Sequence, residues 1–437
     1  MSGQATGNKG IFGWYFGVNL LHRILIGLIA GAVIGIALGA FAPATVPGYV
    51  TYSKFFGDLF INLLRMIVVP TIFFSLIAGA SSITPKQLGA VGGKTLVYYM
   101  VTSVICIGIA LILANLLSPG AGLALVGDGT TKVTLRQAPG FAEVLLAIIP
   151  TNPVNSLARG DVLPIIFFAL ISGICLAMLR DMKGSELSNY ADTTHHIVTA
   201  ITETMFLIVR GVMQYSPIGV FVLISIVFAQ QGPKVVGPTL YVLFVFYLGI
   251  VLHWIIGYGG LLRLFGLGFG KFLNGVKDAA ITAFVTRSSA ATLPITLRVT
   301  EENLGVPRSI CSFTLPIGAT VNMDGTAVYL TVGAVFIGNA VGAPLGFEQQ
   351  LTLMLVATLG AIGAAGVPGA GAIMMLMVLE GVGLPVVAGS AVAVAYALIL
   401  GIDAIFDMGR TCTNVSGDVV GAAIVAKTEN SLDTSKW

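Results

Sequence analysis

The chain has 437 residues, of which 56% are hydrophobic and only 9% are charged, and its mean hydropathy is +0.96. Soluble domains carry about a quarter charged residues, so this composition excludes a water-soluble protein and predicts a chain embedded in a lipid bilayer. The formal net charge is only +3, and the sequence has no basic patch with interleaved aromatic residues, which argues against a nucleic-acid partner.

The first half of the sequence predicts six membrane-spanning helices, each of which needs about 20 apolar residues. Residues 1–17 are rich in glycine and predict a cytoplasmic leader without a cleaved signal. Apolar stretches then cover residues 20–43, 56–80, 94–117, 141–180, 196–229 and 238–262. Prolines break the fourth stretch into pieces. Glycines spaced by four in the first indicate close helix packing, at Gly27, Gly31, Gly35 and Gly39.

The basic residues predict the orientation of these helices, because cytoplasmic loops carry an excess of lysine and arginine. They fall at alternate ends of the spans: Arg23, Lys86, Lys94, Arg180, Lys183, Arg263, Lys271 and Lys277. The long polar segment 118–140 is therefore expected outside the cell. We expect a protein of the cell inner (plasma) membrane with both termini in the cytoplasm.

Two later segments predict re-entrant hairpins. Residues 278–296 have a polar centre, and residues 352–384 have a glycine- and proline-rich centre at 363–371. Non-helical backbone at membrane depth is tolerated only where protein shields it or it lines a cavity, and such interrupted segments mark transporter binding sites. With two more spans at about 309–340 and 388–425, the fold class is an all-α polytopic membrane protein of eight transmembrane helices and two re-entrant hairpins.

The last span carries one polar stripe. Its members are spaced by 4, 3, 4 and 4 residues and project within roughly 80° of one another: Asp403, Asp407, Arg410, Asn414 and Asp418. A charge at the bilayer centre costs about 2.5–3.5 kcal/mol, so these groups need partners. The alternative is a salt bridge of Arg410 with Asp403 or Asp407 that only joins helices, but one arginine cannot satisfy three acids.

The seventh span holds a second polar group, Asn322 to Thr326, in an otherwise apolar run. Glycine and asparagine there predict an unwound turn whose oxygen atoms suit a small hard cation. A helix kink without ion binding is the alternative. Counting Asp324, Asp403, Asp407 and Asp418 against Arg287 and Arg410 leaves a formal charge of about −2, and an acidic amino acid would make it about −3. About three monovalent cations would neutralise that charge.

Four motifs resemble the dicarboxylate/amino acid:cation symporter family, which includes glutamate transporters and prokaryotic sodium–aspartate symporters. They are TRSSAATLP at 286–294, NMDGTA at 322–327, AGVPGAGAIM at 365–374 and DMGRT…N…GD at 407–418, and the likeness covers about residues 18–430. The resemblance implies a homotrimer with inverted repeats that works as an elevator. The scaffold would be residues 18–93 and 118–229, and the moving transport domain would be residues 94–117 and 230–437.

The resemblance also implies the site residues. Arg410 would clamp the substrate side-chain carboxylate and Asp407 would bind its ammonium, with the pocket completed by Arg287, Ser288, Ser289, Thr326, Val367, Gly371, Thr411 and Asn414. About three sodium ions would be bound: one by Gly318, Asn322, Asn414 and Asp418; one near Thr320 and Met323 with carbonyls of the second hairpin; and one by Tyr99, Thr102, Ser103, Asn322 and Asp324. The substrate would be L-aspartate or L-glutamate. Cys412 and Thr413 depart from the residues frequent in the family.

Three positions match the prokaryotic arrangement, in which potassium is not carried back: Arg287, Leu330 and Met408. The resemblance therefore implies sodium–aspartate symport without potassium antiport. The alternative for Leu330 is a residue that merely faces lipid or core.

Other functions are less well supported. A neutral amino acid exchanger would leave Arg410 without a carboxylate, and a pure anion channel would not need paired hairpin gates. The sequence shows no pairing of a nucleophile with a base, so it does not predict an enzyme. His253 lies within a span without a carboxylate at metal-ligand spacing and predicts no site.

Overall fold

The computed structural model describes residues 17–82, 90–123, 125, 146, 148–182, 184–362, 366 and 368–437. All regular secondary structure in these ranges is helical, which confirms the all-α part of the predicted class. The first helices are α1 (Leu20–Phe41), α2 (Val46–Ser81), α3 (Ala90–Leu117), α4 (Pro153–Arg159), α5 (Val162–Asp181), α6 (Glu186–Gln231), α7 (Val236–Leu252) and α8 (Gly259–Leu264). The later helices are α9 (Phe269–Thr286), α10 (Ser289–Glu302), α11 (Arg308–Val321), α12 (Asp324–Ala340), α13 (Phe347–Ile362), α14 (Ala370–Gly381), α15 (Ala391–Gly401) and α16 (Asp403–Thr428).

Six helical stretches of the described ranges are long and apolar enough to cross a membrane, and a seventh is added if the bent pair α15 and α16 is one span. The predicted fifth and sixth spans lie in one stretch, Glu186–Leu264, which is interrupted by a 3-10 turn at Gly232–Val235. The predicted fourth span is broken into α4 and α5, as its prolines indicated. The number of eight spans stays a prediction.

The glycines of α1 allow it to pack backbone against backbone on α6. A Cβ atom at Gly27 would lie 2.5 Å from the Pro217 carbonyl oxygen, and one at Gly35 would lie 2.5 Å from that of Ser225. Larger residues would force the two helices apart, so this face of α1 needs small residues. With α2 and α5, these helices form one packed group.

The first hairpin breaks where the sequence predicted. Helix α9 ends at Thr286, and Arg287 takes a left-handed conformation with φ of 56°. Ser288 then caps α10, since its Oγ accepts a hydrogen bond from the Ala291 backbone N–H at 3.2 Å. A non-glycine residue in this region of the Ramachandran plot is strained, and such residues cluster at functional sites.

The second hairpin consists of α13 and α14. Helix α14 begins after Gly369, whose φ is 85°. Residues 363–365 and Val367, which belong to the predicted tip, lie outside the described residues. The described part places Gly369 and Gly371 at the end of α14 that faces α16.

Two spans are discontinuous. The helix breaks between α11 and α12 at Asn322 and Met323, so the predicted unwound turn is present. The break between α15 and α16, at Ile402, bends the chain by 63° and was not predicted. Asp403 therefore lies in the first turn of α16, where the helix dipole favours a carboxylate.

Candidate functional site

A small, partly open cleft lies where the two hairpins meet the broken span and α16. The lining residues that the structure describes are Arg287, Ser289, Met323, Thr326, Gly366, Ala370, Gly371, Asp407, Arg410, Thr411 and Asn414. Residues from four distant segments thus come together, and they include eight of the predicted substrate residues.

Arg410 is the central cation of the cleft and is only 1% exposed. Its Nη1 lies 2.9 Å from Asp403 Oδ1, and its Nη2 lies 2.8 Å from Asp407 Oδ1. Its guanidinium carbon also lies 4.3 Å from the centre of the Tyr329 ring, a distance typical of a cation–π contact. Here one guanidinium serves two carboxylates, so the arginine and its partners carry a net negative charge.

Sequence reasoning missed Tyr329 as part of this site and named Asp403 only in the alternative interpretation, as a salt-bridge partner of Arg410. The structure contains that pair, because Asp403 and Arg410 lie seven residues apart on one face of α16. Tyr329 is hidden in an apolar run, and only its position three residues after Thr326, on the same face of α12, could have drawn attention to it.

The glycines of the second hairpin allow α14 to approach the charged groups. The Gly369 backbone N–H donates to Asp407 Oδ2 at 3.2 Å. A Cβ atom at Gly371 would lie 2.0 Å from Arg410 Nη1, which is far inside contact distance. A glycine at position 371 is therefore required for the guanidinium to lie where it does.

The two hairpins touch each other through Ser288. Its Oγ donates to the Gly366 carbonyl at 2.8 Å, and the Ala290 N–H reaches the same oxygen at 3.5 Å. Ser288 was predicted as a substrate residue. In this structure it joins the hairpins instead of lining the cleft, whereas Ser289 and Arg287 do line it.

Asn414 holds the broken span in place. Its Oδ1 accepts hydrogen bonds from the backbone N–H groups of Gly325 at 2.8 Å and Thr326 at 3.4 Å, so it caps α12 from another helix. Its Nδ2 lies 3.2 Å from Thr326 Oγ1 and 3.0 Å from Met323 Sδ. The start of α12 is thereby fixed against α16, next to the cleft.

The predicted first sodium site is built around Asp418. Asn322 Nδ2 donates to Asp418 Oδ1 at 3.0 Å and also reaches the Asn414 carbonyl at 3.4 Å. A Cβ atom at Gly318 would lie 2.4 Å from Asp418 Oδ1 and 2.6 Å from Tyr99 Oη, so glycine leaves room where these oxygen atoms converge.

The predicted third sodium site is built around Asp324, which is fully buried. Ser103 Oγ donates to Asp324 Oδ1 at 3.2 Å, and Thr102 Oγ1 lies 3.4 Å from Asn322 Oδ1. Within the described ranges, neither Asp324 nor Asp418 forms an ion pair with a lysine or arginine. Carboxylate, amide and hydroxyl oxygens are ligands that hard cations prefer.

One predicted ligand is not brought into these clusters, and another lies beside a different carboxylate from the one predicted. Thr320 is exposed, and its hydroxyl donates to the Ile317 carbonyl at 3.0 Å within its own helix. Tyr99 was predicted with Asp324, but its Oη donates to the Thr314 carbonyl at 2.9 Å and converges with Asp418 Oδ1 on Gly318.

His253 has a carboxylate partner that its position in the sequence did not indicate. His253 Nε2 lies 3.2 Å from Asp324 Oδ2, although 71 residues separate the two in sequence. Tyr258 Oη lies 3.0 Å from the same oxygen. The contact depends on the packing of two distant spans, and spacing along the chain could not reveal it.

Comparison with known proteins gives the family. Residues 20–428 match the sodium:dicarboxylate symporter family. A proton/sodium-glutamate symport protein of Geobacillus stearothermophilus is 33% identical and covers 96% of both chains. A proton/glutamate-aspartate symporter of Escherichia coli is 33% identical over 96% of this chain and 94% of its own. A C4-dicarboxylate transport protein of Brucella anthropi is 34% identical over 100% of this chain and 94% of its own. These relatives are transporters, which confirms that an enzyme is not expected.

Proposed function

Because this chain belongs to the sodium:dicarboxylate symporter family, as its four motifs predicted, we propose that it imports acidic amino acids, L-aspartate above all, together with sodium. The observation that carries the proposal is the pairing of Arg410 with Asp407 in a small cleft between two hairpins. A cation and an anion three residues apart complement a solute that has both a side-chain carboxylate and an ammonium group.

Substrate binding would exchange partners within the site. The ammonium group of the substrate would bind Asp407. The side-chain carboxylate of the substrate would bind the part of the Arg410 guanidinium that Asp407 now contacts. Asp403 stays on Arg410 Nη1 at 2.9 Å and keeps the guanidinium oriented during the exchange. Buried polar groups left unpaired are costly, so a solute lacking either charge would bind more weakly.

Sodium coupling follows from the buried acids. Asp324 and Asp418 are 0% and 2% exposed, and an isolated carboxylate in such a place is strongly disfavoured. Cations that bind beside them would lower this cost and would favour the form of the cleft that accepts an anionic substrate. About three sodium ions per substrate would balance the charge. Each ion would travel as a co-substrate.

A C4-dicarboxylate is the second candidate substrate, because one relative is named as a C4-dicarboxylate transport protein. A dicarboxylate such as succinate has the distal carboxylate for Arg410 but no ammonium for Asp407. The geometry around Asp407 therefore favours aspartate.

The experiment is uptake of radiolabelled L-aspartate into proteoliposomes with sodium or choline outside, at equal pH and clamped potential. We expect saturable uptake in sodium and background uptake in choline, with competition by unlabelled aspartate stronger than by succinate or serine. Equal uptake in choline would refute sodium coupling, and uptake driven by a pH gradient alone would point to protons. Stronger competition by succinate would assign the dicarboxylate.

The proposal includes the larger assembly. Helices α1, α2, α5 and α6 form the static scaffold of a homotrimer in the cell inner membrane, with both termini cytoplasmic. The cleft, α3 and all helices from α7 to α16, which include both hairpins, move across the membrane as one body. Packing supports this division, since the glycine contacts of α1 are made to α6, whereas the site is built from the second set alone.

A further inference from the structure

A π-helical turn places two polar side chains on one oxygen of Asp324. Residues His253–Tyr258, between α7 and α8, form this turn. In an α-helix, side chains five residues apart point about 140° away from each other. The π turn brings His253 and Tyr258 to the same face, with ring centroids 4.4 Å apart, and both reach Asp324 Oδ2. Such turns are rare and frequently occur at functional sites.

The chemistry of the contact fixes which atoms carry hydrogen. Asp324, His253 and Tyr258 are all 0% exposed. An ionised carboxylate only accepts hydrogen bonds, so Nε2 of His253 must be the donor. Within the described residues Nδ1 has no hydrogen-bond partner, and a proton there would be buried without an acceptor. The neutral ring with its hydrogen on Nε2 is the form that fits.

The other oxygen of Asp324 faces a different set of groups. Ser103 Oγ lies 3.2 Å from Oδ1, beside the pair formed by Thr102 and Asn322. The π turn thus holds one oxygen of the carboxylate, and the other oxygen accepts from Ser103 Oγ and lies 4.0 Å from Cys106 Sγ. Hydrogen bonds of this kind orient ligand carboxylates in metal sites, and losing them weakens metal affinity by about 10–100-fold.

We propose that His253 and Tyr258 are positioning residues that hold Asp324 so that its Oδ1 meets a sodium ion. This inference rests on the proposed function, in which Asp324 binds sodium. Gly257 of the same π turn is also needed, because a Cβ atom there would lie 2.5 Å from His253 Nδ1 and would displace the ring.

The test measures the sodium concentration that gives half-maximal aspartate uptake in proteoliposomes of the full chain. His253→Leu and Tyr258→Phe should each raise it, the former by about tenfold or more, with maximal uptake at saturating sodium unchanged. His253→Gln should restore it to near the original value, because its amide nitrogen can replace Nε2 as donor. Tyr247→Phe is the matched control, since Tyr247 donates to the Ile405 carbonyl at 2.7 Å, away from Asp324.

An unchanged half-maximal sodium concentration in His253→Leu overturns the proposal. A loss of maximal uptake at an unchanged half-maximal sodium concentration also overturns it, because it indicates a purely structural role. If His253→Leu does not fold, Tyr258→Phe is the deciding variant, because it removes only one hydroxyl group. An unchanged half-maximal sodium concentration in Tyr258→Phe then overturns the proposal. Uptake by the unaltered protein that ignores sodium would instead refute the proposed function.

Discussion

Arg410 is held between Asp403, Asp407 and the face of Tyr329, and in the proposed function it binds the substrate's side-chain carboxylate. Arg410→Ala should reduce aspartate binding at saturating sodium at least about 30-fold, because truncating one partner of a buried charge pair costs about 2–5 kcal/mol. Calorimetric titration of the purified protein measures this.

The matched control is Arg298→Ala, because Arg298 is 56% exposed and lies 3.9 Å from Asp278. It should bind aspartate normally. Monodisperse behaviour of Arg410→Ala in size-exclusion chromatography separates loss of the site from loss of the fold. Affinity within twofold of the original would show that Arg410 does not bind the substrate carboxylate.

Asp418 sets the expected sodium dependence, since it is buried next to Asn322 and Gly318. Asp418→Asn should weaken sodium dependence and aspartate binding together, because coupling between two ligands is reciprocal. In a plot of log affinity against log sodium concentration, the slope should fall by about one.

Asp278→Asn provides the control for this change, because Asp278 is 51% exposed and lies far along the chain from both sodium clusters. The slope of the unaltered protein should be positive and should not change in Asp278→Asn. An aspartate affinity that is independent of sodium in the unaltered chain would contradict the role of Asp418.

At the scale of single elements, Gly371 allows helix α14 of the second hairpin to lie close to Arg410. Gly371→Ala should weaken aspartate affinity by tenfold or more, since the added methyl group would displace the guanidinium of Arg410. Such a small change in a closely packed site typically costs about 1–3 kcal/mol. Gly270→Ala in α9 is the control, because a Cβ atom there meets no other atom within 4 Å. Equal affinities of both variants, measured by calorimetry, would mean that α14 does not define the cleft.

The elements that could be predicted are those whose residue types interrupt an apolar run. Arg287 with Ser288, and Asn322 with Met323, stand out in hydrophobic surroundings, and the chain breaks at both places. The bend at Ile402 was not predicted, because Asp403 was assigned to a polar stripe within one continuous span and not to the start of a helix.

The same reasoning explains which site residues were found. Charged groups on one helix stripe can be placed by helical periodicity, and so Asp407, Arg410 and Asn414 were expected together. His253 and Tyr258 share a face only because of the π turn. A regular α-helix would have separated them, so the periodic pattern pointed away from their common contact.

At the scale of the whole molecule, the proposed cycle requires the transport domain to return across the membrane without substrate. Leu330 is fully buried in the hydrophobic core, which agrees with its alternative interpretation as a core residue and offers no group to bind potassium. We therefore expect proteoliposomes loaded with potassium or with choline to take up aspartate at the same initial rate under an equally clamped potential. A several-fold stimulation by internal potassium would show that the interpretation of Leu330 is wrong.

The contact between the hairpins has a consequence for the fidelity of transport. Ser288 and Gly366 close the tips with a hydrogen bond between a hydroxyl and a carbonyl, and such neutral bonds contribute only about 0.5–1.5 kcal/mol. Bonds of this strength add little to the stability of the closed cleft, so in the proposed cycle its closure would depend on what fills it. Sodium bound without substrate would leave the hairpin tips apart, and the transport domain would not cross the membrane. The weakness of the contact between the tips would therefore prevent sodium from being carried alone.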